Sequence, residues 1–172
     1  MKKIILVGYM GSGKSVVGQL LAQKKDFSYI DLDKTIEESE NSTIKSIFET
    51  KGEIYFRKLE HQIFKELTSS NQQFVLSTGG GTICYANNHL LLKNENVISI
   101  YLYASIETLS ERLKTEKKQR PLIADLTDDD LKEFVAKHLF ERSFFYNQCQ
   151  FKIDVNQKLV VEIVNEIIAI LA

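Results

Sequence analysis

The chain is poor in cysteine, histidine, proline and arginine, and it has no long apolar run. The two cysteines, Cys84 and Cys149, lack metal-ligand spacing. Two isolated thiols are expected as buried residues in a reducing compartment rather than as a disulfide framework. His61, His89 and His138 are scattered, none with a partner at metal-binding spacing, so each is expected to be structural or exposed. No stretch is long enough to span a bilayer. The opening Met1-Lys2-Lys3 and its apolar sequel stop at Gly8, too short for a secretory core, so a cytoplasmic chain without a leader is expected. A formal net charge of −1 gives no reason to expect a nucleic-acid or membrane partner. Internal repeats and low-complexity segments are missing as well.

Arginine is the most informative shortage. Of 22 basic residues only Arg57, Arg112, Arg120 and Arg142 are arginines. Lysine therefore covers the solvated surface. The planar arginine fork, which grips carboxylate or phosphate bidentately, is expected where geometry matters. The single proline, Pro121, follows one of the four.

What is present is enough for one α/β domain over residues 1–172, with 44% hydrophobic content and a sizeable core. Gly8-Tyr9-Met10-Gly11-Ser12-Gly13-Lys14-Ser15 fits the phosphate-binding loop pattern. An apolar, β-branched run precedes it at 3–7, and a helical pattern with Val17, Leu20 and Leu21 follows it. In such a loop, backbone N–H groups turn toward phosphate oxygens and the helix N-terminus adds partial positive charge. Lys14 is expected to reach the β- and γ-phosphates, and Ser15 to place its hydroxyl on Mg²⁺.

Downstream, 27–31 reads as a strand ending in Asp31-Leu32-Asp33. Ligands of open α/β sheets collect at the carboxyl ends of strands. Residues i and i+2 of an extended chain share a face, so both acids could face the loop; alternatively Asp33 is an ordinary helix cap. Ser42 reads as a cap of a helix that Gly52 interrupts, and a longer helix follows over 53–67. On it Arg57 and Glu60 stand three apart, the spacing of an ordinary solvated ion pair. The strand 73–77 runs into Gly79-Gly80-Gly81, bare backbone that a ligand can approach closely or a flexible turn. No acid ends that strand. A helix is expected over 86–93, a strand over 97–102, and a helix capped by Ser105. Residues 114–125, which contain Arg120-Pro121, read as a mobile lid. A helix from Thr127 to about Tyr146, a strand over 150–155 and a helix over 158–171 complete the alternation. That alternation implies a mostly parallel sheet covered on both faces. It leaves strand order open.

Taken as an ordered set, these motifs resemble shikimate kinase over nearly the whole chain. The resemblance rests on the phosphate loop with Gly18 after it and on Asp31-Leu32-Asp33. It rests equally on Gly52-Glu53-Ile54-Tyr55-Phe56-Arg57-Lys58-Leu59-Glu60, the glycine run, Arg120-Pro121-Leu122, and Arg142 with Tyr146. It implies a nucleoside-monophosphate-kinase-like fold with a five-stranded parallel sheet in order 2-3-1-4-5. A substrate-binding helical region would lie at about 33–61. The implied reaction moves the ATP γ-phosphoryl group to the 3-hydroxyl of shikimate. By matched position, Asp33, Arg57, Gly79, Gly80, Gly81 and Arg142 would bind shikimate. Gly11, Ser12, Gly13, Lys14, Ser15 and Val16 would hold ATP phosphates, Arg112 would lie near adenine, and Arg120 would close over the phosphates. Lys14, Asp33 and Arg120 would be catalytic; Ser15 and Asp31 would serve Mg²⁺. Ser12 and Val16 stand where the family often has alanine and threonine. A cytoplasmic monomer is expected. The rival readings are a gluconate-type kinase of the same fold and a nucleotide-binding regulatory module.

Overall fold

A computed structural model describes residues 2–172. Five parallel strands form one sheet in the order β2-β3-β1-β4-β5. The central strand β1 (Lys3–Val7) is wholly buried, as its unbroken apolar run requires. The others are β2 (Ser28–Asp31), β3 (Phe74–Ser77), β4 (Val97–Tyr103) and β5 (Phe151–Asp154). Asp31 pairs in register with Ser77, and Ser77 with Leu6. The carboxyl ends of β2, β3 and β1 therefore open onto one rim, just where Asp31, the glycine run and the phosphate loop leave the sheet.

Helix α1 (Lys14–Lys25) starts at the end of the phosphate loop. Its N-cap, Gly13, has φ 91° and ψ 19°, a left-handed conformation that costs a side-chain-bearing residue about 1–2 kcal/mol. Gly18 lets this helix lie against the sheet. A Cβ there would stand 2.6 Å from Tyr29 Cε2 and 2.9 Å from Ser77 Oγ. Ser77 Oγ itself donates to the Lys14 carbonyl at 2.9 Å. The strand end that lacks an acid thus ties the loop helix down. Gly18→Ala gains about 1 kcal/mol of helix propensity but overpacks this contact by about 1–3 kcal/mol. Net destabilisation in urea unfolding is expected, and unchanged or raised stability would mean that Tyr29 yields freely.

Helix α2 (Leu32–Glu40) begins two residues earlier than an Asp33 cap would place it. Its cap is Asp31, whose Oδ1 accepts the Lys34 N–H at 3.2 Å. Asp33 is neither the cap nor a strand residue. It sits in the first helical turn, so it and Asp31 are not an i, i+2 pair on one extended face. The next cap is Thr43 rather than Ser42. Helix α3 (Ile44–Ser69) is broken at Gly52, which takes φ 84° and ψ 168°. The expected helix at 86–93 is instead a pair of left-handed residues, Ala86 and Asn87, followed by a 3₁₀ segment, Asn88–Lys93. Asn88 is fully buried there and donates to the Thr82 carbonyl at 2.8 Å, a contact that no periodicity encodes.

The lid segment is shorter than expected at its start. Helix α4 (Ile106–Glu116) absorbs residues 114–116, since nothing in them breaks a helix. A 3₁₀ turn, Lys117–Gln119, follows, and Arg120 is extended at φ −124° and ψ 101°, as a residue before proline must be. Helix α5 (Asp128–Tyr146) starts at the Thr127 cap, which accepts the Asp130 N–H. Helix α6 (Val160–Leu171) packs against α1. Cys84 and Cys149 are free and half-buried. Among the described residues no helix is long and apolar enough to cross a membrane.

Candidate active site

One cleft of about 560 Å³ opens at the sheet rim. Gly11 through Val16, Asp31, Asp33, Gly79, Gly80, Arg112 and Arg120 line it. Lys14 Nζ donates to the carbonyls of Gly8 at 2.6 Å and Tyr9 at 3.0 Å, so the lysine lies along its own loop. Burial pulls its pKa down to about 8; Asp33 opposes the fall, and Arg120 and Arg142 deepen it. Asp33 moves the other way, up to about 6, first through burial and then through the charges of Asp31 and Glu60. Near neutral pH both groups are charged, each held close to its titration point.

The 79–81 glycine run is the floor on which the distant side chains meet. A Cβ on Gly79 would stand 3.0 Å from Asp33 Oδ1. One on Gly80 would stand 3.2 Å from Arg142 Nη1, and one on Gly81 3.0 Å from Arg57 Nη2. The three glycines therefore each face a different charged group, from α2, α5 and α3. The close approach, rather than backbone freedom, is what a side chain here would disturb, by pushing each charged group from its place.

Arg57 lies on the far side of Gly81. It lines a neighbouring groove of about 650 Å³, together with Tyr85 and His61. Its partner Glu60 is 1% exposed and accepts from Nη1 at 2.8 Å. The expected solvated pair is thus a buried one. Glu60 Oε2 accepts from Thr82 Oγ1 at 2.9 Å, which completes the carboxylate's surroundings. Arg57 Nε is buried without a hydrogen-bond partner, as is Ser12 Oγ in the loop.

Arg142 is anchored from behind. Its guanidinium lies 5.7 Å from the Tyr9 ring, and Tyr146 donates to the Gly80 carbonyl at 2.6 Å. Burial raises the Tyr9 pKa to about 12, and burial with the Arg142 charge lowers that of His138. A protonated tyrosine therefore meets a neutral imidazole, with Tyr9 Oη 2.8 Å from His138 Nδ1. The outer arginines have protein partners. Arg112 donates to the Gly11 carbonyl at 3.0 Å, and Arg120 makes two contacts, 2.8 and 2.9 Å, with Glu116 Oε2.

Every site residue expected from the sequence falls in the cleft, in the adjoining groove or on the glycine floor between them. The shikimate kinase family model matches residues 10–172. The chain belongs to the shikimate kinase family. A shikimate kinase of Flavobacterium psychrophilum is 53% identical over 171 residues, 99% of each chain. Among solved structures, shikimate kinase from Bacteroides thetaiotaomicron superposes with a TM-score of 0.90 at 32% identity, covering 99% of this chain and 98% of that one. Shikimate kinase from Acinetobacter baumannii, in complex with shikimate, gives 0.86 at 34% identity over 99% and 93%. The expected 2-3-1-4-5 sheet is the one observed in this shikimate kinase family member.

Sequence reasoning missed four contributors. Tyr85 stacks on Arg57, Thr82 bonds Glu60, Asn88 braces Thr82, and Glu116 holds Arg120. Only the last had a local signal, its i, i+4 spacing.

Proposed function

We infer that this shikimate kinase family member transfers the γ-phosphoryl group of ATP to the 3-hydroxyl of shikimate, giving shikimate 3-phosphate and ADP on the route to chorismate and the aromatic amino acids. The observation that carries the reading is the meeting of Asp33, Arg142 and Arg57 on successive glycines beside the phosphate loop. Shikimate carries one carboxylate and three hydroxyls. Two arginine forks suit the carboxylate, an aspartate suits a hydroxyl, and bare glycine backbone suits the remaining polar edge. Gluconate shares the carboxylate but not the ring.

Asp33 orients the acceptor hydroxyl and takes up its proton as the O–P bond forms. Lys14 follows the charge that develops between the β- and γ-phosphates. Arg120 exchanges Glu116 for phosphate oxygens. Both members of that pair are more than one-third exposed on the side chain, so the exchange costs at most about 1 kcal/mol. Residues 117–125 act as the lid and exclude water, the competing acceptor. The helical region 33–61 carries the substrate side.

Mg²⁺ fits the donor set. Ser15 and Asp31 offer hard oxygens in the same cleft as the loop, and among the described residues no group of three acidic, His or Cys ligands could hold a metal alone. That matches an ion carried chiefly by phosphates and waters. When bound, Mg²⁺ supplies charge neutralisation at the β- and γ-phosphate oxygens. The working form is a cytoplasmic monomer; two free, half-buried thiols suit a reducing compartment.

The test is ADP release from ATP in the presence of shikimate, gluconate or a nucleoside monophosphate. Shikimate alone should support turnover. Folded protein without shikimate-dependent turnover overturns the assignment, and ATP binding insensitive to shikimate would identify a regulatory module instead.

A further inference from the structure

The Arg57 guanidinium has more company than an ion pair requires. Its Cζ lies 3.9 Å from the centroid of the Tyr85 ring and 5.2 Å from that of Phe56. Glu60 holds Nη1, and Gly81 lies against Nη1 and Nη2. Nε is buried and has no hydrogen-bond partner. One edge of the fork is thus fixed by a carboxylate, one face is covered by an aromatic ring, and the buried Nε faces Glu53 Oε1 at 3.8 Å, beyond hydrogen-bond reach.

Tyr85 is itself held in place. It follows the short 3₁₀ turn Thr82–Cys84 that leaves the glycine run, and its carbonyl accepts the Asn88 N–H at 3.0 Å. Asn88 Oδ1 lies 2.6 Å from His61 Nδ1, on the helix that carries Arg57. Thr82, at the other end of the turn, bonds the second oxygen of Glu60. The segment Thr82–Asn88 therefore grips α3 at Glu60 and His61, about one helical turn past Arg57, and delivers the Tyr85 ring to the guanidinium.

We propose that Tyr85 is a positioning residue for shikimate: its ring is the shelf that fixes the plane of the Arg57 fork at Gly81, so that the fork meets the substrate carboxylate already oriented. The inference rests on the assignment of Arg57 to the substrate site. A guanidinium free to swing into the 650 Å³ groove that it shares with Tyr85 would pay its ordering cost at each binding event. The contact is made by the ring face, so the hydroxyl is dispensable.

Steady-state kinetics on Tyr85→Leu, Tyr85→Phe, Arg57→Ala and the Arg57→Ala/Tyr85→Leu double variant test this. Tyr85→Leu should raise the shikimate KM about tenfold, the scale of a partly desolvated cation–π contact, with kcat and the ATP KM within about twofold of the parent. Tyr85→Phe should restore the parent shikimate KM. The double variant should be no worse than Arg57→Ala alone, because the ring acts only through the fork. Tyr85→Phe as impaired as Tyr85→Leu, multiplicative effects in the double variant, or equal rises in both substrates' KM would each overturn the positioning role while leaving the substrate assignment standing. An unchanged shikimate KM in Arg57→Ala would instead overturn the substrate assignment of Arg57, and this inference with it.

Discussion

Lys14→Met lowers kcat by about 10³-fold or more while the protein stays folded. The magnitude follows from what a positioned cation contributes when charge moves between phosphate oxygens. The stability side follows from the lysine's surroundings. Its pKa lies below the ordinary 10.5 at about 8, so between those values the unfolded chain binds more protons than the folded one. Stability linked to Lys14 therefore rises as pH climbs from about 8 to 10.5, and near neutrality the buried ammonium is a cost. Methionine removes that cost. It also leaves the Gly8 and Tyr9 carbonyls without their donor, about 1 kcal/mol for each lost bond. These effects oppose each other, so the melting temperature should move by only a few degrees while single-turnover ADP formation collapses. Retention of a tenth of the parent rate would remove Lys14 from the chemistry.

Asp33→Asn gives the second large effect, with turnover falling about 10²-fold or more and stability rising. The carboxyl, at about 6 in the folded protein, stands above its ordinary 3.8. The folded state then binds more protons between those values. Asp33 stabilises most fully below pH 3.8, and that contribution is lost as pH rises through about 6. The difference corresponds to up to about 3 kcal/mol at neutral pH, which the neutral amide recovers. Urea unfolding at pH 7.5 should show the variant more stable than the parent, with the gap closing toward pH 4. The same two groups shape the parent's kcat/KM profile in the free enzyme, with an acid limb near pH 6 from Asp33 and an alkaline limb near 8 from Lys14. The variant should lose the acid limb. A parent-like rate with the acid limb intact would show that Asp33 neither orients nor deprotonates the hydroxyl.

The phosphate loop was readable because its physics is local. A strand, glycines that allow left-handed turns and a helix start all fall within a short stretch. The strand order was readable only through resemblance, since nothing in a parallel strand names its neighbour. Asp31 and Asp33 show where local reasoning slipped. Both acids reach the cleft, but through a helix that starts at Leu32, because Asp31 caps it and the strand's alternation ends there. Arg57 and Glu60 show the same limit. Their spacing is that of any surface pair, and it is Thr82 and Gly81, from another element, that bury them. Tyr85 carried no signal at all, since its role lies in a contact across the fold.

Helix α5 is fastened at two places: near its middle, where His138 meets Tyr9, and at its end, where Tyr146 meets Gly80. Helix α4 is likewise fastened through Arg112 to Gly11. The stretch spanning residues 117–127 is therefore strung between two posts driven into the same loop, at Tyr9 and Gly11. If that stretch folds over a nucleotide as proposed, these contacts would tether both of its ends and hold Arg142, on the tethered helix, beside Gly80.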